Sequence, residues 1–454
     1  MPITSLKSKL KPLYFRRQFF PRHGWISSKV LATILSTEVL LLAPSNFLTE
    51  ILVLLGPLAY PSLTAREYIS SVLNRAEKTK SLNVFINLLP EYALSTADKV
   101  DSAIAAGNPP PLAGLAIVVK DNINMVGFPT TAGTAALQHH RPSTTAPSLE
   151  KLIAAGAIVI GKTNMHELSF GPTSTNLQPF ANPVRNPYDK ERIPGGSSGG
   201  TAVAIAARVV SCGLGSDTTG SVRFPAALSG IVGFRPSVGN GGRVNATELR
   251  GLRLGVPAVL WSDLDEEVET VTLEATKKLQ EAGVILVRDD IPDLLTLNKA
   301  IGMVTLAYET PIAISTFVRH YPKGIFGKEY NEAMKVGRPA LQKLYADYFS
   351  QKRVDALMFP TTILPATLID FTHGTGNVSI NGNPPVSTVE AYNRNTWSGG
   401  SAGIPGLSIP VKLTSNGLPI GMEFDGPVGS DERLLAIGLA IEKIFGPLPA
   451  PKLF

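Results

Sequence analysis

One apolar run constrains this chain more than any other feature. Residues 112–119 read Leu-Ala-Gly-Leu-Ala-Ile-Val-Val and stop at Lys120-Asp121-Asn122. This is the pattern of a buried central strand that emerges into a turn. The sequence that follows has matching pieces. Residues 148–155 read as a helix closed by Gly156, and residues 157–160 as the next strand, ending in Gly161-Lys162-Thr163-Asn164. Helix–Gly–strand units of this kind indicate an α/β architecture with a largely buried sheet. More strands are expected at 83–87, 209–214, 251–256, 284–287 and 356–360, and helices at 201–208, 266–282 and 431–444. An amphipathic helix is expected to start at residues 63–67, with Ile69, Val72 and Leu73 on one face. Residues 403–410 and 417–421 read as a hairpin at the sheet edge. No linker marks a boundary after residue 62.

The first sixty residues differ from the rest. Lys7, Lys9, Lys11, Arg16, Arg17, Arg22 and Lys29 precede any acid. Two apolar runs follow, 30–43 and 47–60, interrupted by Glu38 and Glu50. Neither is an unbroken span of about 20 apolar residues, as a membrane helix requires. A membrane-surface contact through residues 1–60, a basic targeting segment and an irregular extension packed on the body are three open readings. The net charge of +6 stems from this stretch. Beyond residue 37 the basic and acidic side chains nearly balance, which argues against a nucleic-acid groove. Cys212 is the only cysteine and the six histidines form no ligand spacing, so neither a disulfide framework nor a metal site is expected.

Two Gly/Ser clusters carry the candidate chemistry. The first is Gly195-Gly196-Ser197-Ser198-Gly199-Gly200. The second runs from Gly215 through Ser216-Asp217-Thr218-Thr219-Gly220-Ser221 to Arg223. The first lacks the lysine of a phosphate-binding loop and the acid of a dinucleotide site. Serine hydrolysis needs a serine, a proton acceptor and N–H donors for the oxyanion. No histidine sits in a triad motif, and His166 reads as structural. Lys120, at the end of a buried strand, is a candidate base because desolvation favours the neutral amine. Taken singly, each of these residues is equally well read as an ordinary loop or surface residue.

The segments 112–121, 161–165, 195–200 and 215–227 occur in an order and with gaps that resemble the amidase signature family. The resemblance runs from about residue 62 to the C-terminus. Segments 164–171, 232–236 and 417–423 with 431–438 look most like those of its indoleacetamide and mandelamide hydrolases. The resemblance implies one large α/β domain over 62–454, with a central twisted mixed sheet covered by helices. It implies Ser221 as nucleophile, Ser197 as a bridging serine after a cis Gly196-Ser197 peptide, and Lys120 as base. Backbone N–H groups of Thr218, Thr219, Gly220 and Ser221 are then the oxyanion hole, and Asp217, Arg223 and Ser198 support the loop. Ser169, Gly171 and Thr173 fall where the substrate pocket is expected. The expected reaction is hydrolysis of a small arylalkyl primary amide to acid and ammonia, without a cofactor. A fatty-acyl or other apolar amide, and an impaired family member acting as a binding protein, are the alternatives. A homodimer and a cytoplasmic body complete the expectations. Two departures stand out. Thr219 replaces a glycine of the family pattern, and a β-branched residue resists positive φ. The chain is also shorter than its relatives near 238–251 and 321–342.

Overall fold

A computed structural model describes residues 40–44, 63–237, 247–315 and 327–452. Parts of both shortened segments, and all of residues 1–61 except 40–44, lie outside the described residues. The main sheet has eleven strands. In chain order they begin with β1 (Leu40–Pro44), β2 (Phe85–Leu88), β3 (Ala116–Lys120), β4 (Ile158–Thr163) and β5 (Cys212–Gly215). Next come β6 (Ile231–Arg235), β7 (Arg253–Pro257), β8 (Ile285–Asp289) and β9 (Ala356–Pro360). A separate two-stranded piece is β10 (Asn377–Val378) with β11 (Val386–Ser387), and β12 (Gly406–Leu413) and β13 (Pro419–Asp425) complete the main sheet.

The spatial order is β2-β4-β3-β5-β1-β6-β12-β13-β9-β7-β8. Strands β4, β3 and β5 are parallel, as are β9, β7 and β8, and the strands between these blocks are antiparallel. The sheet is therefore mixed, as expected. The strand read at 112–119 begins only at Ala116, because residues 112–114 form a turn closed by Ala113 N–H donating to Pro110 O. The hairpin at 403–421 is not at the edge. β12 and β13 lie in the middle of the sheet and are almost wholly buried. Their prolines suggested an edge, but Pro410 sits where the register shifts, one of the few places a sheet interior tolerates proline.

Helices cover both faces. α1 (Ala65–Lys78) starts at a capping box, in which Thr64 Oγ1 accepts from Glu67 N and Glu67 returns the bond to Thr64 N. Its buried stripe is Ala65, Ile69, Val72, Leu73 and Ala76. That stripe packs with α2 (Pro90–Ala105), β3, β4 and α4 (Gly199–Ala206) in one core; α3 (Pro147–Ala154) packs beside it. Each fully buried aliphatic side chain of this kind contributes roughly 1.5–3 kcal/mol. α5 (Arg223–Ser229) crosses from this core to the second one. The second core holds α6 (Glu266–Glu281) and sits on β6, β7, β9, β12 and β13. Later helices are α7 (Leu294–Ser315), α8 (Gly327–Glu332), α9 (Arg338–Lys352), α10 (Thr388–Asn393), α11 (Trp397–Ala402) and α12 (Asp431–Phe445). No described helix is long and apolar enough to cross a membrane.

β1 comes from the N-terminal extension and separates β5 from β6, pairing antiparallel with both. Leu42 faces Gly213 on one side and Gly233 on the other. A chain that starts at residue 62 loses this double ladder. We expect it to be insoluble, or to melt far below the full chain by circular dichroism. An equal melting temperature would show that the strand is dispensable.

Candidate active site

The parallel trio β4-β3-β5 places its C-terminal ends side by side. The crevice beyond such ends is where open α/β sheets hold ligands. Lys120 ends β3, Asn164 follows β4, and the loop 216–222 leaves β5 for α5. Ser197 and Ser198 precede α4, which packs under the same loops. The glycines around them allow close approach. A Cβ on Gly200 would sit 2.3 Å from Asn164 O, so no other residue fits there.

Lys120 is fully buried. Its Nζ lies 2.6 Å from Ser197 Oγ and 2.9 Å from Ser216 Oγ. Burial lowers its pKa to about 7, against a smaller opposing pull from the Asp217 carboxylate. Asn122 Nδ2 donates to Ser216 Oγ at 2.9 Å and to Ser169 Oγ at 3.1 Å. The Gly196-Ser197 peptide is cis. Ser198 N–H donates to Ser221 O at 3.2 Å, which ties the first Gly/Ser cluster to the second. Among the described residues, the backbone N–H groups of Thr218, Thr219, Gly220 and Ser221 meet no acceptor. Ser221 is 9% exposed.

A buried charge cluster holds this loop from behind. Arg223 donates to both oxygens of Asp217, at 3.0 and 3.1 Å, and to Glu423 Oε1 at 2.9 Å. Asp217 also accepts the N–H groups of Val222 and Arg223. Burial raises the Asp217 carboxyl, but the Arg223 guanidinium outweighs it and holds the pKa down to about 2. Glu423 goes the other way. Burial pushes it up to about 8 despite Arg223, and raises Asp425 beside it as well. Burial thus favours the protonated form at both carboxyls.

Of the pocket expectations, Ser169 reaches the network through Asn122. Gly171 lies against the His166 ring, where its own Cβ would be 2.2 Å from the ring atoms. Thr173 is buried, bonded to Gly374 O at 2.9 Å and to His166 Nδ1 at 3.2 Å. Its hydroxyl is thus engaged inside the fold. Burial lowers the His166 pKa to about 4, so its ring is neutral at physiological pH. Ser216, Asn122 and Glu423 were not foreseen. Ser216 directly precedes Asp217, so its place in the loop was visible, but nothing in the sequence marked Glu423. The feared strain at Thr219 does not arise. The positive φ of the loop, +138°, falls on Gly220.

Two predictions follow from this geometry. Lys120→Ala is expected to lower turnover by at least two orders of magnitude, and the wild-type kcat/KM should fall as pH drops through about 7, where Lys120 gains its proton. A flat profile between pH 6 and 8 would count against a lysine base. Arg223→Ala leaves buried carboxylates unpaired and should cost about 3–5 kcal/mol in denaturant unfolding. A change below 1 kcal/mol would show that water replaces the guanidinium.

Comparison with known proteins points to one family. The Amidase family model matches residues 67–244 and 307–435. Mandelamide hydrolase of Pseudomonas putida is 34% identical, over 86% of this chain and 90% of that protein. Indoleacetamide hydrolase of Rhizobium radiobacter is 36% identical, over 84% of this chain and 93% of that protein. A solved amidase structure, 28% identical, superposes with a TM-score of 0.77 over 88% of this chain and all of the other. A bacterial aryl acylamidase of the amidase signature enzymes, at 21% identity and a TM-score of 0.76, shares the fold over 86% of this chain and 95% of its own. The family model, the two curated relatives and the shared fold show that this chain belongs to the amidase signature family and is an amide hydrolase.

Proposed function

We propose that the chain hydrolyses a small arylalkyl primary amide to its carboxylic acid and ammonia, through an acyl group carried on Ser221. The observation that carries this is the fully buried Lys120 Nζ, 2.6 Å from Ser197 Oγ, beside a loop whose N–H groups are unused. Ser221 Oγ attacks the amide carbon, and the carbonyl π electrons move onto oxygen. The Ser221 proton passes to Ser197 Oγ as the Ser197 proton passes to neutral Lys120. The N–H groups of residues 218–221 stabilise the oxyanion, each worth a few kcal/mol when aligned. Collapse breaks the C–N bond, and the Lys120 proton returns through Ser197 to the leaving nitrogen. Water then cleaves the ester by the same path, so amide and water give acid and ammonia. No step calls for a cofactor.

The arylalkyl choice rests on the relatives named for mandelamide and indoleacetamide. A fatty-acyl or other apolar amide is the second reading. It is favoured by Phe170 and Leu177, both 44% exposed and close in sequence to the expected pocket residues Ser169, Gly171 and Thr173.

Ammonia release over a panel of mandelamide, indole-3-acetamide and an oleoyl amide separates the two. We expect the aryl amides to lead by at least tenfold in kcat/KM. An oleoyl amide in the lead would reverse the assignment. Covalent labelling by a fluorophosphonate should occur in the wild type and vanish in Ser221→Ala. Labelling unchanged by that substitution would remove Ser221 from the mechanism.

A further inference from the structure

The loop that carries the unused N–H groups is gripped from outside as well as from behind. Thr219 Oγ1 donates to Asn393 Oδ1 at 2.6 Å. Thr396 Oγ1 donates to Thr219 O at 2.5 Å. Thr219 is thus held by both its side chain and its carbonyl. The gripping segment is itself fixed. Asn393 Nδ2 donates to Val389 O at 2.6 Å, and Asn395 Nδ2 donates to Leu260 O at 2.9 Å and Pro360 O at 2.8 Å. Thr396 O accepts from Arg223 Nη2 at 3.0 Å. Asn393 is 6% exposed, and Asn395 and Thr396 are fully buried. The fit is close on either side. A Cβ on Gly220 would come 2.2 Å from Thr396 Oγ1, and one on Gly400 would come 2.4 Å from Thr218 O.

Thr219 is the residue at which this chain departs from the Asp-Thr-Gly-Gly-Ser pattern. A glycine there has no hydroxyl to offer Asn393. The added side chain therefore removes backbone freedom at the loop and adds a bond that fixes it. We propose that residues 393–396 form a clasp on the oxyanion loop, with Thr219 and Asn393 as positioning residues for acyl transfer. This rests on the reading of Ser221 as nucleophile. Donors aimed at a developing oxyanion act only when aligned, so loosening them lowers kcat and leaves KM nearly unchanged.

The test compares Thr219→Val, Thr219→Ser, Asn393→Ala and the double variant Thr219→Val/Asn393→Ala with wild type. The readouts are kcat and KM for ammonia release from the best amide of the panel, the fluorophosphonate labelling rate, and the melting temperature. Assays run well below the lowest melting point. Valine keeps the shape of threonine but not its hydroxyl, whereas serine keeps the hydroxyl. We expect Thr219→Val and Asn393→Ala each to lose roughly 10- to 100-fold in kcat and labelling rate, with KM within about twofold. Thr219→Ser, which restores the hydroxyl, should recover most of the kcat and labelling rate that Thr219→Val loses, and the double variant should be no worse than the poorer single one, because both remove one bond. Wild-type kcat in Thr219→Val, a loss in KM instead of kcat, or additive losses in the double variant would overturn the clasp while leaving Ser221 in place. Absence of labelling in the wild type, or labelling that survives Ser221→Ala, would overturn the underlying reading and the clasp with it.

Discussion

A lysine ammonium taken wholly out of water is the constraint on which the rest of this site depends. Among the described residues Lys120 forms no ion pair; its hydrogen-bond neighbours include the hydroxyls of Ser197 and Ser216. Hydroxyls solvate an amine without forcing it to stay charged, which is why its proton affinity falls to the physiological range. Asp217, the carboxylate whose charge opposes this fall, is held by Arg223. Were Asp217 free to pair with Lys120, the amine would remain protonated and could not accept from Ser197. The buried arginine thus shapes the chemistry without touching the reacting atoms.

The same cluster explains how a loop rich in glycine and threonine is rigid. Asp217 accepts four N–H bonds from residues 222 and 223, so it closes the turn at its base. Buried pairs of this kind are fixed more by the cost of breaking them than by their net attraction. Glu423, on β13, completes the pairing of Arg223. The loop after β5 is therefore tied to β13, in the other half of the sheet.

Much of this was legible in the residues. The apolar run before Lys120 announced a buried strand, and the run 356–360 coincides with β9 residue for residue. Periodicity failed where both faces of an element are covered. β6 and β12 sit in the middle of the sheet; the residues signal no strand at 231–235, and β12 reads as part of an edge hairpin. In the site, Lys120, Ser197 and the 217–221 loop were marked by motif and order. Glu423 and Asn393 were not, because each acts across about 170–200 positions of chain. A side chain whose partner lies that far away leaves no local signature. Thr219 shows the converse. Its residue type alone suggested a distorted loop, and only the φ of its neighbour and the partner of its hydroxyl changed that reading.

The strand at residues 40–44 also sets an order of events. It is the first of the described strands in chain order, yet its partners Gly215 and Gly233 lie well over 150 positions later. Until β6 has left the ribosome, β1 has no complete place to occupy. In the meantime β5 carries an open edge next to the nascent nucleophile loop. Open edges are the surfaces on which unfinished chains pair with one another. The half of the sheet that bears the catalytic candidates is thus the half most exposed to misassociation, and its closure waits on a segment already synthesised and held in reserve.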